Sequence, residues 1–133
     1  MESSMRFLSK IALSLAATIA FAAPGIAVAH PKLVSASPAA NATAKGVSRI
    51  VLKFSERLTP RLSGATLTMT GMPGMANHPD MKMTGVNAAI GSDGSSIVLT
   101  SAKPLPAGTY RVDWHVVGAD THRITGTHAF SVN

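Results

Sequence analysis

The sequence predicts an all-β fold, an antiparallel β-sandwich or small Greek-key barrel of six or seven short strands. Three observations predict it. Apolar and polar residues alternate with period two, turn residues separate the alternating runs, and no segment after the N-terminal region carries a helical stripe. From Arg49 to Phe54 the even positions Ile50, Leu52 and Phe54 are apolar, while Arg49 and Lys53 fall on odd ones. From Tyr110 to Val117, Tyr110, Val112, Trp114 and Val116 share one face, and Arg111, Asp113 and His115 share the other. From Arg123 to Val132, Ile124, Phe130 and Val132 have one parity. Further strands fit Lys32 to Ala36, Leu62 to Thr68 and Ser96 to Thr100. Turn chemistry lies between them, at Ser37-Pro38 with Asn41, at Gly91-Ser92-Asp93-Gly94 and from Lys103 to Gly108. Strands with one wet face pack as two layers or close on themselves. Trp114 is expected to plug the core, His128 to be partly buried and satisfied, and His115 to be exposed.

Residues 1–29 read as a cleaved secretory leader. Arg6 and Lys10 make a basic start, Ile11 to Ala23 is apolar, and Pro24-Gly25 breaks the run. Ala27-Val28-Ala29 supplies a small-x-small cleavage site. The apolar run is shorter than the roughly 20 residues a membrane span needs, so removal is expected rather than anchoring. Cleavage after Ala29 makes His30 the first residue of the mature chain and frees its α-amine.

Residues 30–133 form a single domain with a modest core. This part carries ten Lys and Arg against five Asp and Glu. The cations are scattered and no aromatic ladder accompanies them, which argues against nucleic-acid binding. A net positive charge steers toward anionic partners. There is no cysteine. An exported domain without disulfides holds together by its core, and any metal site has to come from His, Met, carboxylate or the terminal amine.

All five methionines beyond the leader, Met69, Met72, Met75, Met81 and Met83, fall in one fifteen-residue window. Methionine used as core filler is scattered along a chain. Pro73, Gly74, Pro79 and Gly85 interrupt periodicity, so the window is expected to be a loop. Thioether sulfur is a neutral, polarisable ligand suited to Cu(I), and His78 is interleaved with it. The plainer reading is an apolar loop covering an open end of the sandwich.

A second group is built on histidine. The α-amine and ring of an N-terminal His30 chelate one ion together, a grip that suits Cu(II) with its preference for tetragonal nitrogen and oxygen ligands. Asp120 and His122 are two apart, so on a strand they project to the same side. Glu56, just past a strand, is a further carboxylate, either an outer ligand, a partner of Arg57 or a solvated charge. The plainer readings are a disordered terminus for His30 and turn chemistry for Asp120.

With both groups in view, the chain resembles the CopC/PcoC family of periplasmic copper-resistance proteins. The likeness covers essentially the whole mature chain. It includes His30-Pro31, Ser35-Ala36-Ser37-Pro38, Val51-Leu52-Lys53-Phe54-Ser55-Glu56 and Met69-Thr70-Gly71-Met72-Pro73-Gly74-Met75. It continues through Leu105-Pro106-Ala107-Gly108-Thr109-Tyr110-Arg111-Val112-Asp113-Trp114, Asp120-Thr121-His122 and Ile124-Thr125-Gly126. The resemblance implies a cupredoxin-like or Ig-like Greek-key fold of about seven strands, with copper sites at opposite ends. The Cu(II) site would use His30 through amine and ring, with Asp120, His122 and Glu56 as a further candidate. The Cu(I) site would draw on Met69, Met72, Met75 and Met81, with His78 as an alternative or extra ligand. In this loop the histidine and later methionines are displaced slightly from the family pattern. The implied role is a periplasmic carrier for copper resistance and homeostasis, not an enzyme. Implied partners are an inner-membrane copper transporter and other periplasmic copper proteins, with no membrane span once the leader is removed.

Two rival readings fit the sequence less well. Polysaccharide-cleaving copper monooxygenases also begin with histidine, but they need an open coordination position and a flat aromatic face. Here Asp120 would fill a position, and the few aromatics have core parity. A metal-free Ig-like module explains the strands and leaves the methionine cluster without a reason. Zinc at His30 and His122 would not account for thioethers.

Overall fold

The apolar parities of the sequence settle on the inner faces of two sheets packed as a β-sandwich. The computed structural model describes residues 29–75 and 77–133. The expected leader therefore lies outside the described residues except for Ala29. The strands are β1 (Leu33–Ser37), β2 (Thr43–Ala44), β3 (Arg49–Phe54), β4 (Gly64–Gly71), β5 (Met81–Lys82), β6 (Val86–Ile90), β7 (Ser96–Ser101), β8 (Gly108–Val117) and β9 (Arg123–Val132). One sheet has the order β1-β3-β7-β6 and the other β2-β9-β8-β4-β5. Pairing is antiparallel except between β2 and β9. Among the described residues no helix is long and apolar enough to cross a membrane.

The spine of the second sheet is the β8–β9 pair, in register from Gly108↔Val132 to Val117↔Arg123. Its inner residues Tyr110, Val112, Trp114, Val116, Phe130 and Val132 are buried against Ile50, Leu52, Phe54, Ile97 and Leu99 of the first sheet. Each such side chain contributes about 1.5–3 kcal/mol when fully buried. The Trp114 indole meets Phe54 edge-on at 5.0 Å between centroids. Its cross-strand partner is Gly126, where a Cβ would lie 2.2 Å from the indole Cζ2. The glycine is therefore a matter of space, since the indole occupies the volume a side chain would need. Tyr110 stacks on Phe130 at 5.5 Å and donates its hydroxyl to the Pro106 carbonyl at 2.5 Å. His128 is buried, with Nε2 2.8 Å from the Pro38 carbonyl oxygen. It is a satisfied core histidine, as its parity predicts.

Several expectations need correction. The strand expected over Leu62 to Thr68 starts at Gly64, because Pro60–Leu62 form a 3-10 turn, and it runs on to Gly71. The window from Met69 to Met83 is therefore not one loop. Met69 belongs to β4 and is 4 % exposed, since it shares core parity with Leu67 and stands opposite Tyr110. Met81 lies in β5, paired with Met69. Strand β6 went unforeseen because Asn87, Ala88 and Ala89 give no strong alternation. His115 is half-buried rather than exposed, lying over Gly64, where a Cβ would sit 3.2 Å from its Cε1. Burial, with the Arg123 charge second, pushes its pKa down.

This topology creates two poles. At one end lie the segment before β1, the β3–β4 connection and the β8–β9 turn. At the other lie the β4–β5 loop, the start of β8 and the C-terminus.

Candidate metal centre

At the first pole the chain preceding β1 is pinned before it reaches His30. The Lys32 amide donates to Ser55 Oγ at 3.0 Å, and the Ser55 amide donates to the Lys32 carbonyl at 2.8 Å. Pro31 is fully buried against Gly118, where a Cβ would stand 2.8 Å from its Cγ. The close approach needs a residue without a side chain, and it sets His30 beside the β8–β9 turn.

That turn presents Asp120 and His122. They do not project from a strand as their spacing suggested, because β9 begins only at Arg123. They converge because Thr121 between them is left-handed, at φ +65°. The Thr121 amide donates to the Gly118 carbonyl at 3.1 Å, and the His122 amide to Asp120 Oδ1 at 3.2 Å. A left-handed threonine is uncommon and costs backbone energy; here it accompanies the convergence of the Asp120 and His122 side chains.

The carboxylate of Asp120 is 8 % exposed, whereas the rings of His30 and His122 are 54 % and 73 % exposed. Asp120 Oδ2 touches His30 Nδ1 and lies 3.6 Å from His122 Nδ1. It is buried, and its polar neighbours are these two imidazole nitrogens. One ligating atom from each of the three residues lies within 4.8 Å of the others. A buried carboxylate oxygen lacking a donor is costly unless a cation or donor satisfies it. Two imidazole nitrogens facing that oxygen form a mixed N/O donor set. Glu56 is half-buried beside the Ser55–Lys32 clamp and does not join this cluster. Nor does it pair with Arg57 among the described residues, as the guanidinium of Arg57 lies over Gly94 instead.

The second pole is built on a hairpin tip. The Met75 amide donates to the Met72 carbonyl at 3.1 Å, and Gly74 is left-handed at φ +76°. Proline followed by left-handed glycine matches the type II turn, so Met-Pro-Gly-Met brings two thioethers to facing positions. Met72, Met75 and Met81 are exposed. Met83 is half-buried and packs on the core. The Met69 methyl lies near Gly108, beneath the base of the hairpin. His78 is half-buried, and its Nδ1 is buried without a partner. A hollow of about 480 Å³ lies beside the tip, lined by Met72, Met75, Thr43, Thr109 and Asn133 among others. The structure thus presents three of the five methionines at the surface and retains Met69 inside.

One feature of this pole escaped sequence reasoning. Arg111 Nη1 donates to Asp80 Oδ2 of the methionine loop at 3.1 Å, while its Nε donates to Asp113 Oδ1 at 2.9 Å. The only sequence signal was the shared parity of Arg111 and Asp113.

Residues 33–133 match the family model of the CopC domain. The chain is similar to copper resistance protein C of Escherichia coli, 50 % identical over 106 residues that cover 80 % of this chain and 83 % of that protein. It is also 50 % identical over 122 residues to copper resistance protein C of Xanthomonas campestris pv. juglandis, covering 92 % and 89 % respectively. The crystal structure of PcoC, a methionine-rich copper resistance protein from Escherichia coli, superposes with a TM-score of 0.72 at 48 % identity, covering 79 % of this chain and all of that one. The chain belongs to the CopC domain family.

Proposed function

We propose that this protein is a periplasmic copper carrier, binding Cu(II) at the histidine pole and Cu(I) at the methionine pole and delivering copper by ligand exchange. The observation that carries the reading is the buried Oδ2 of Asp120 set against the ring nitrogens of His30 and His122. A divalent cation neutralises that oxygen and takes both imidazoles. Removal of residues 1–29 adds the α-amine of His30 to the donor set. The exposed thioethers and the unpartnered His78 nitrogen support the soft-ion site. Glu56 and Met69 are secondary candidates, the first as an outer carboxylate and the second as a sulfur beneath the hairpin.

The mechanism follows from ligand softness. Oxidation makes a thioether site poor and an N/O site good, and reduction does the reverse. Exposed ligands at a hairpin tip are open to an incoming donor, which favours transfer over storage. The chemistry fits an inner-membrane copper transporter and other periplasmic copper proteins as recipients. Asp120 beside the two histidines supports a filled binding site over the open position a copper monooxygenase requires.

Titration of the mature protein tests the reading. One equivalent of Cu(II) and one of Cu(I), the latter added anaerobically, are expected to survive dialysis. A chain carrying Ala29 before His30 is expected to lose Cu(II) affinity while keeping Cu(I). The M72L/M75L/M81L variant is expected to do the opposite. Loss of both ions in dialysis, or unchanged Cu(I) stoichiometry in the triple variant, defeats the corresponding assignment.

A further inference from the structure

The methionine loop leaves β4 through a tight hairpin, but its returning limb, His78 to Met81, has little to hold it. Strand β5 is two residues long, and its register with β4 covers only Thr68↔Lys82 and Met69↔Met81. A two-residue edge pairing is marginal by itself. Two observations show a further attachment. Arg111 on the outer face of β8 forks between Asp113 of its own strand and Asp80 of the loop, at 2.9 and 3.1 Å. Thr68, flanked in register by Arg111 and Lys82, is 8 % exposed although it shares the outward parity of the exposed Thr66. The outer face is therefore covered where the loop returns and open one step further along.

We propose that Arg111 is a positioning residue for the soft-metal site, a clasp that ties the returning limb of the methionine loop to the central strand through Asp80. It rests on the reading of that loop as a Cu(I) site. Asp113 orients the guanidinium from one side, so Arg111 reaches Asp80 with much of its side-chain freedom already lost. The limb it holds carries Met81, adjacent to Asp80, and His78, two residues before it. Without the clasp those donors have to be ordered when the ion binds, which weakens binding without changing how many ions bind.

The test is a double-mutant cycle on the mature protein, with Asp80→Asn, Arg111→Gln and the pair. Cu(I) affinity is measured by competition with a chromophoric chelator, and Cu(II) affinity is measured in parallel. Each single variant is expected to weaken Cu(I) binding about threefold, equivalent to about 0.6 kcal/mol, which is in the range of an exposed ion pair. The double variant is expected to be no weaker than either single one, because both remove the same link. The loss should shrink in high salt, where exposed pairs are screened, and Cu(II) affinity should stay unchanged. Arg111→Lys keeps the charge without the fork and is expected to fall between wild type and Arg111→Gln. Wild-type Cu(I) affinity in the single variants, or additive losses in the double, overturns the clasp alone. Absence of Cu(I) binding by the wild type overturns the reading of the loop, and the clasp's role in binding with it.

Discussion

The two poles hold their candidate ligands in opposite ways. At the histidine pole the backbone does the positioning. Pro31 is seated on Gly118, Lys32 and Ser55 exchange hydrogen bonds, and a left-handed Thr121 turns Asp120 and His122 toward each other. At the methionine pole a short turn and one exposed ion-pair fork hold a longer segment, and three thioethers face solvent. A hard ion gains from fixed nitrogen and oxygen donors, whereas a soft ion held by weak neutral donors exchanges readily. In the proposed carrier, the difference separates a site that retains from a site that hands over.

The largest expected effect makes no distinction between the poles. Gly126→Ala forces a Cβ into the Trp114 indole and is expected to destabilise the whole sandwich by about 2–4 kcal/mol, read as a lower denaturation midpoint with both ions lost near it. Gly118→Ala separates the poles. It dislodges Pro31 and is expected to weaken Cu(II) binding at least about tenfold, or about 1.4 kcal/mol, with Cu(I) affinity unchanged. Equal losses of both ions would show that the histidine pole has no separate scaffold.

Within the methionine pole, Met75→Leu is expected to lower Cu(I) affinity while chemical denaturation shifts by under about 0.5 kcal/mol, because the side chain is exposed. Met69→Leu is expected to cost up to about 1.5 kcal/mol of stability through repacking. Its effect on Cu(I) decides whether the buried sulfur is a ligand. The smallest effect concerns pH. The folded state disfavours protonated His115, so the unfolded chain binds more protons below its ordinary value near 6.5. Stability therefore falls as pH drops through that region. His115→Gln is expected to flatten this slope in denaturation series between roughly pH 5 and 7, with copper binding at both poles unaltered.

Legibility followed the strength of local patterning. Strands β3 and β8 were readable because their inward residues are bulky and most of their outward ones charged, and β9 because Ile124, Phe130 and Val132 share one parity. Strand β6 was not, because two consecutive alanines and one asparagine carry too little contrast. The methionine cluster was conspicuous by composition, yet its division between core and surface depended on the register of β4 against β8, which no local pattern gives. His30, Asp120 and His122 could be nominated by chemistry. Their convergence rests on a left-handed threonine and on a glycine that admits Pro31, and neither has a signature in the sequence. The Arg111–Asp80 link joins positions brought together only by the sheet, so nothing nearby in the chain announces it.

Strand β8 has a consequence of scale. It runs ten residues from the floor of the methionine hairpin to the rim of the histidine turn, which at about 3.4 Å per residue amounts to roughly 30 Å. Among the described residues, the buried side chains of β8 along that path, Tyr110, Val112, Trp114 and Val116, are apolar or aromatic and offer no ladder of metal donors. In the proposed carrier an ion changing ends thus has to leave the molecule and be recaptured, so the two addresses are served by separate visitors rather than by an internal conduit.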